Sequence, residues 1–160
     1  MSKPTGPDAL APFADATHAN IHASCVAVDG NALLIVGRSG SGKSALALEM
    51  MALGAGLVAD DRVDLLQEQA QVLASAPKHT AGLIEARGIG LLHAAPSAPL
   101  PVCYILDLDR PEITRMPAQV ETMLLGCRLP LLGTPNAPHL AAALLQLLKA
   151  GRVPPEWPNR

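Results

Sequence analysis

Gly37-Arg38-Ser39-Gly40-Ser41-Gly42-Lys43-Ser44 satisfies the pattern G-x-x-x-x-G-K-[ST] in full. Before it runs Ala32-Leu33-Leu34-Ile35-Val36, a short apolar run suited to a buried strand. After it, Ser44 to Leu53 is rich in Ala, Leu, Met and Glu and suits a helix. Strand, glycine loop and helix in that order form a cradle for a triphosphate. Gly37, Gly40 and Gly42 admit backbone conformations closed to other residues. The amides of Arg38, Ser39, Ser41 and their neighbours, with the helix N-terminus, can then point at phosphate oxygens. Lys43 is expected at the β and γ phosphates and Ser44 at Mg²⁺.

The chain has 160 residues, enough for one domain with a sizeable core. Apolar residues make up 49% and aromatic ones 2%, so Ala, Leu, Val, Ile and Met must fill the interior. A net charge of -2 supplies no basic field for nucleic acid. Cys25, Cys103 and Cys127 follow no metal-ligand spacing and sit among apolar neighbours, so buried free thiols are expected. No signal segment opens the sequence, and the apolar run Ala141 to Leu148 is too short to span a bilayer. The expectation is a soluble cytoplasmic protein with no membrane or nucleic-acid partner.

Residues 1–15 read as a flexible lead-in, 16–150 as one domain and 151–160 as an irregular, proline-bearing tail. Ile21 to Val28 reads as one strand, turned at Asp29-Gly30-Asn31 into the strand that feeds the glycine loop. Gly54 and Gly56 stop the first helix, and Leu57-Val58-Ala59 delivers Asp60-Asp61 at a strand end. Val63 to Leu66 pairs with Gln71 to Ala74. A short strand at Leu83 to Arg87 precedes a loop, and Val102 to Leu108 is a buried strand. Glu121 to Arg128 is a short helix or the start of a strand. Ala137 to Ala150 is a helix stopped by Gly151.

A phosphate loop names a ligand and no reaction, so the other polar constellations matter. Asp60 and Asp61 lie where α/β folds bind ligands, and adjacent carboxylates on extended chain point to different sides. One can serve as base toward an acceptor hydroxyl. The plainer reading is a solvated Asp-Asp turn. Glu85 and Arg87 alternate onto one strand face, where they can hold Mg²⁺ and phosphate together or form only a surface ion pair. Asp107, at the end of the Val102 strand, is a rival metal residue of the kind many phosphate-loop proteins use. Spacing gives no reason to choose among His18, His22, His79, His93 and His139.

Four segments in order resemble the catalytic domain of the HPr kinase/phosphorylase family. They are Ile21-His22-Ala23-Ser24-Cys25-Val26, the loop at 37–44, Leu57-Val58-Ala59-Asp60-Asp61, and Glu85-Ala86-Arg87-Gly88-Ile89-Gly90-Leu91-Leu92. The resemblance implies an α/β, P-loop-containing single domain with a mixed central sheet, of the HPr kinase and PEP carboxykinase-like kind. It implies ATP-dependent phosphorylation of a serine on HPr, the phosphocarrier of the phosphotransferase system. The reverse reaction would use inorganic phosphate and yield pyrophosphate. By this carry-over His22, Lys43, Asp60, Asp61 and Arg115 are catalytic, with Asp61 as base and Asp60 its support. Ser44 and Glu85 would ligate Mg²⁺, and Arg115 in Thr114-Arg115-Met116-Pro117 would stabilise the transferring phosphate. Asp107 drops out as a metal residue. The chain resembles the short forms that lack a separate N-terminal domain, and the family assembles as homo-oligomers, namely hexamers.

Three departures from the family pattern stand out. Arg38 replaces the usual Asp or Glu, Ala45 replaces Glu, and Thr134-Pro135-Asn136-Ala137-Pro138-His139 lacks the basic segment tied to the reverse reaction. Two other functions fit the loop: a small-molecule kinase, although no arginine lid follows residue 115, and a non-catalytic nucleotide sensor.

Overall fold

Strands β2 (Ser24–Val28) and β3 (Asn31–Val36) are apolar on both faces and almost wholly buried, as befits the centre of a covered sheet. Their alternate side chains feed two cores. Val26, Val28, Leu33 and Ile35 face the helices, whereas Cys25, Ala27, Leu34 and Val36 face the inside of the curled sheet. Asp29 (φ 52°) and Gly30 (φ 81°) turn the chain between them, and both are residue types that tolerate positive φ.

The computed structural model describes residues 10–155. The fold is α/β with a mixed, curled nine-stranded sheet in the order β1-β5-β6-β9-β3-β2-β4, extended through β11 and β10 beside β9. The remaining strands are β1 (His18–His22), β4 (Gly56–Ala59), β5 (Arg62–Glu68), β6 (Gln71–Ser75), β9 (Leu100–Glu112), β10 (Glu121–Leu124) and β11 (Cys127–Pro135). A separate hairpin joins β7 (Leu83–Ala86) and β8 (Gly90–His93). Strand β9 runs parallel to β3 and β11, and its first two residues pair antiparallel with β6. Helices α1 (Lys43–Ala52) and α2 (Leu140–Ala150) cover one face through Leu46, Met50, Leu144 and Leu148.

Several expectations change. The single strand over Ile21 to Val28 is two strands that part at Ala23: β1 pairs with β5, and β2 pairs with β3 and β4. The lead-in expected over 1–15 is packed from Leu10 onward. Leu10 is 1% exposed, and the carbonyls of Phe13 and Ala14 accept the N–H groups of Leu125 and Gly126. Residues 1–9, and 156–160 of the expected tail, lie outside the described residues. Of the two readings of Glu121 to Arg128 the strand holds: β10 starts at Glu121 and turns at Leu125 (φ 49°) and Gly126 into β11. Of the cysteines only Cys25 is buried, and Cys103 and Cys127 are half-buried. No helix among the described residues is long and apolar enough to cross a membrane.

Candidate active site

The glycine loop leaves β3 at Val36 and ends where Gly42 (φ 101°) opens α1 at Lys43. A side chain at Gly37, where φ is 157°, would put its Cβ 2.6 Å from Ser41 Oγ and 3.2 Å from Leu108 Cβ, so the loop lies tight against its own Ser41 and against β9 there. Lys43 is 6% exposed, and its ammonium donates to the carbonyls of Gly37 (2.8 Å) and Arg38 (3.0 Å). Burial lowers the Lys43 pKa, while the carboxylates of Asp109, Asp61 and Asp60 oppose that shift.

Asp60 and Asp61 follow β4 directly, and their side chains diverge where the chain turns at Asp61. Asp60 is 4% exposed and accepts three donors. Ser24 Oγ and Ser44 Oγ reach Oδ1 at 2.7 Å each, and the Glu85 N–H reaches Oδ2 at 3.1 Å. This one carboxylate therefore ties β2, α1 and β7 together. Asp61 turns outward at φ 67°, inside a tight turn closed by Arg62 N–H to Asp60 O at 2.8 Å. Its side chain is 72% exposed, and Oδ1 lies 3.3 Å from His22 Nε2. The break at Ala23 creates this pairing, because Ala23 N–H donates to Asp61 O while His22 sits opposite Arg62. Burial, then the charge of Lys43, pushes the His22 pKa below its ordinary 6.5, against the pull of Asp61.

A cavity of about 560 Å³ lies over the loop. His22, Lys43, Ser44, Asp61, Glu85 and Arg87 line it together with Ser39, Gly40 and Gly42, so nine of the expected site residues meet around one space. In β7, Ile84 and Ala86 are buried and Glu85 is exposed, with the exposed Arg87 following in the turn, as alternation demands. Arg115 is not brought to this space. It lies beyond Glu112, and β9 already runs three residues, about 10 Å, past Asp109 before ending. Arg115 instead lines a second cavity beside α2, which also holds Pro135 and His139 of the departed late segment. Asp107 is 2% exposed, accepts the Asp109 N–H at 2.9 Å and does not line the loop cavity.

Ser24 and Asp109 escaped the sequence reading. Ser24 lay within the first quoted segment, two residues past His22, and strand alternation puts the two on the same side of an extended chain. Asp109 shares its strand face with Asp107 in the same way.

The residues suit a phosphate tail and a divalent cation. Among the described residues, the N–H groups of Gly40, Gly42, Lys43 and Ser44 have no protein acceptor, and the buried Ser41 Oγ has no partner. A cradle of donors without acceptors is what phosphate oxygens satisfy. Ser44 Oγ spends its proton on Asp60, which leaves its lone pairs for a cation. Among the described residues no group of three or more His, Cys, Asp or Glu could cage a metal.

The model of the HPr serine kinase C-terminal domain matches residues 14–97. An HPr kinase/phosphorylase of Clostridium botulinum is 41% identical over 85 residues, which are 53% of this chain and 26% of that protein. One from Lactobacillus johnsonii is 45% identical over 74 residues, 46% of this chain and 23% of the other. The match thus spans about a quarter of the length of these relatives. The solved HPr(Ser) kinase/phosphatase of Coxiella burnetii superposes with a TM-score of 0.69 at 25% identity, covering 82% of this chain and 88% of that one. The family match takes in β1 to β8, the glycine loop and both acidic residues, and on it this chain belongs to the HPr serine kinase C-terminal domain family.

Proposed function

We propose that this chain is an ATP-dependent protein kinase that phosphorylates a serine of the phosphocarrier HPr, with residues 16–150 as its catalytic domain. The observation that carries the reading is the meeting of the His22–Asp61 pair with Lys43, Ser44, Glu85 and Arg87 around one cavity. The relatives named above are HPr kinases, which fits the same chemistry.

In this reading the N–H groups of Gly40, Gly42, Lys43 and Ser44 and the Lys43 ammonium receive the phosphate tail of ATP, and Arg87 adds charge at its edge. Ser44 and Glu85 would hold Mg²⁺, which would supply positive charge to the phosphate oxygens. Asp61 takes the proton of the incoming serine hydroxyl. The serine oxygen bonds to the γ-phosphorus, the bond to the bridging oxygen breaks, and ADP leaves with that electron pair. Positioning and electrostatics dominate such a step. Asp60 anchors Ser44 and the β7 backbone, so it holds the cation side of the site in register with Asp61. His22, neutral at pH 7, orients the Asp61 carboxylate through its ring nitrogen.

Radiolabelled ATP offered with HPr and Mg²⁺ tests this directly, and label on a serine of HPr is the expected result. Label on a nucleoside monophosphate instead would make the protein a small-molecule kinase. Nucleotide binding with no transfer would make it a sensor. Added inorganic phosphate, followed by measurement of pyrophosphate, reports whether the reverse reaction runs without the late basic segment.

A further inference from the structure

Strand β9 carries a carboxylate that the proposed chemistry does not use. Parallel pairing sets Val36 opposite Asp107, so Asp109, two residues on along the same face, comes alongside Arg38. Asp109 Oδ2 accepts the Arg38 backbone N–H at 2.7 Å, and Oδ1 lies 3.6 Å from Arg38 Nε. The Asp109 side chain is 17% exposed and that of Arg38 76%. Asp109 is itself fixed from behind. Its N–H donates to Asp107 Oδ1, and the Asp107 carbonyl accepts Thr134 Oγ1 of β11 at 2.8 Å. On the far side of the loop, Lys43 Nζ donates to the carbonyls of Gly37 and Arg38, the two residues that Asp109 ties down.

We propose that Asp109 is a positioning residue for the phosphate site: it fastens the first half of the glycine loop to β9 through the Arg38 amide, and so sets where Lys43 is held. The inference rests on the reading that the loop takes a nucleotide. The two contacts are unequal. The guanidinium contact is long and open to water, so it contributes little. The short bond from a backbone N–H to a largely buried carboxylate contributes more. The decisive property is therefore the acceptor oxygen of Asp109, with its charge second. The Arg38 amide is spent on Asp109, while those of Gly40, Gly42, Lys43 and Ser44 have no protein acceptor among the described residues.

The acceptor can be separated from the charge. Asp109→Ala removes both, whereas in Asp109→Asn the amide oxygen can still accept the Arg38 N–H. Two readouts on the full chain decide the matter: ADP affinity by calorimetry with Mg²⁺, and backbone amide exchange over residues 36–44 without nucleotide. Asp109→Ala is expected to weaken ADP about tenfold or more, as loss of a hydrogen bond to a charged group would. It should also speed exchange in that segment alone. Asp109→Asn should recover most of both. If the unaltered protein binds ADP and Asp109→Ala matches it in affinity and exchange, the inference is wrong and the nucleotide reading survives. Equal losses in both variants, with faster exchange throughout β9 and β11, would mean a merely structural role and also overturn it. Failure of the unaltered protein to bind ADP would overturn the nucleotide reading and this inference together.

Discussion

His22 Nε2 and Asp61 Oδ1 lie 3.3 Å apart at the point where the chain crosses from β1 to β2. The pair sits on the rim of the loop cavity, and Asp61 is the more exposed partner. Its positive φ is one that Asp and Asn tolerate better than most residues. Asp61→Asn therefore keeps the turn and removes the base. Transfer to HPr should fall by a factor of about 10² to 10⁴, the usual worth of general-base catalysis. ADP affinity, measured by calorimetry, should stay near that of the unaltered protein. Full transfer activity in this variant would remove Asp61 from the mechanism.

Asp60 predicts the opposite balance. Its carboxylate, itself buried, satisfies two hydroxyls and one backbone N–H. Asp60→Ala leaves all three without their acceptor, and unpaired buried donors are costly. Stability in urea should drop by about 3 kcal/mol or more. Asp61→Asn, at an exposed side chain and with the positive φ still tolerated, should cost under about 1 kcal/mol. Similar midpoints for Asp60→Ala and Asp61→Asn would refute the anchoring role of Asp60.

The depressed pKa of His22 gives a pH dependence with a definite sign. Above 6.5 the ring is neutral in both the folded and unfolded chain, so it contributes nothing. Below 6.5 the unfolded chain takes up the proton first, and folding loses stability until the lower folded pKa is reached. The urea midpoint of the natural protein should fall faster between pH 7 and that lower pKa than the midpoint of His22→Gln. Parallel curves would show that the ring is not desolvated in solution.

The parts of this molecule that were legible in its sequence are those set by local chemistry. Asp29-Gly30 specifies its hairpin, the glycine loop its helix start, and Asp60-Asp61 a strand end. The split at Ala23 was hidden because residues 21–28 are apolar almost throughout, and only pairing with different strands separates β1 from β2. Strand β11 was hidden by Pro130 and Pro135, which argue against a central strand. It tolerates them near the sheet's margin, where its second neighbour is the short β10. The Asp60 cluster needs residues 24, 44, 60 and 85, whose meeting no spacing along the chain encodes.

Arg115 tests how far a short motif carries. The family resemblance sets it at the transferring phosphate, yet within this chain it lines the cavity beside α2, with Glu112, Thr114 and Arg152 as co-lining residues. An arginine acting on the phosphates from its own chain would have to bring the 113–120 connection back past Asp109. If the observed arrangement persists in solution, Arg115→Ala should leave ADP affinity within about twofold of the unaltered protein, since a charge removed beyond a Debye length of about 8 Å is largely screened. Lys43→Ala, measured alongside, should weaken ADP about tenfold or more, because it deletes a buried ammonium at the loop itself. Equal losses in the two variants would show that the connection closes over the loop when nucleotide binds. Arg115 would then rejoin His22 and Asp61 at the site.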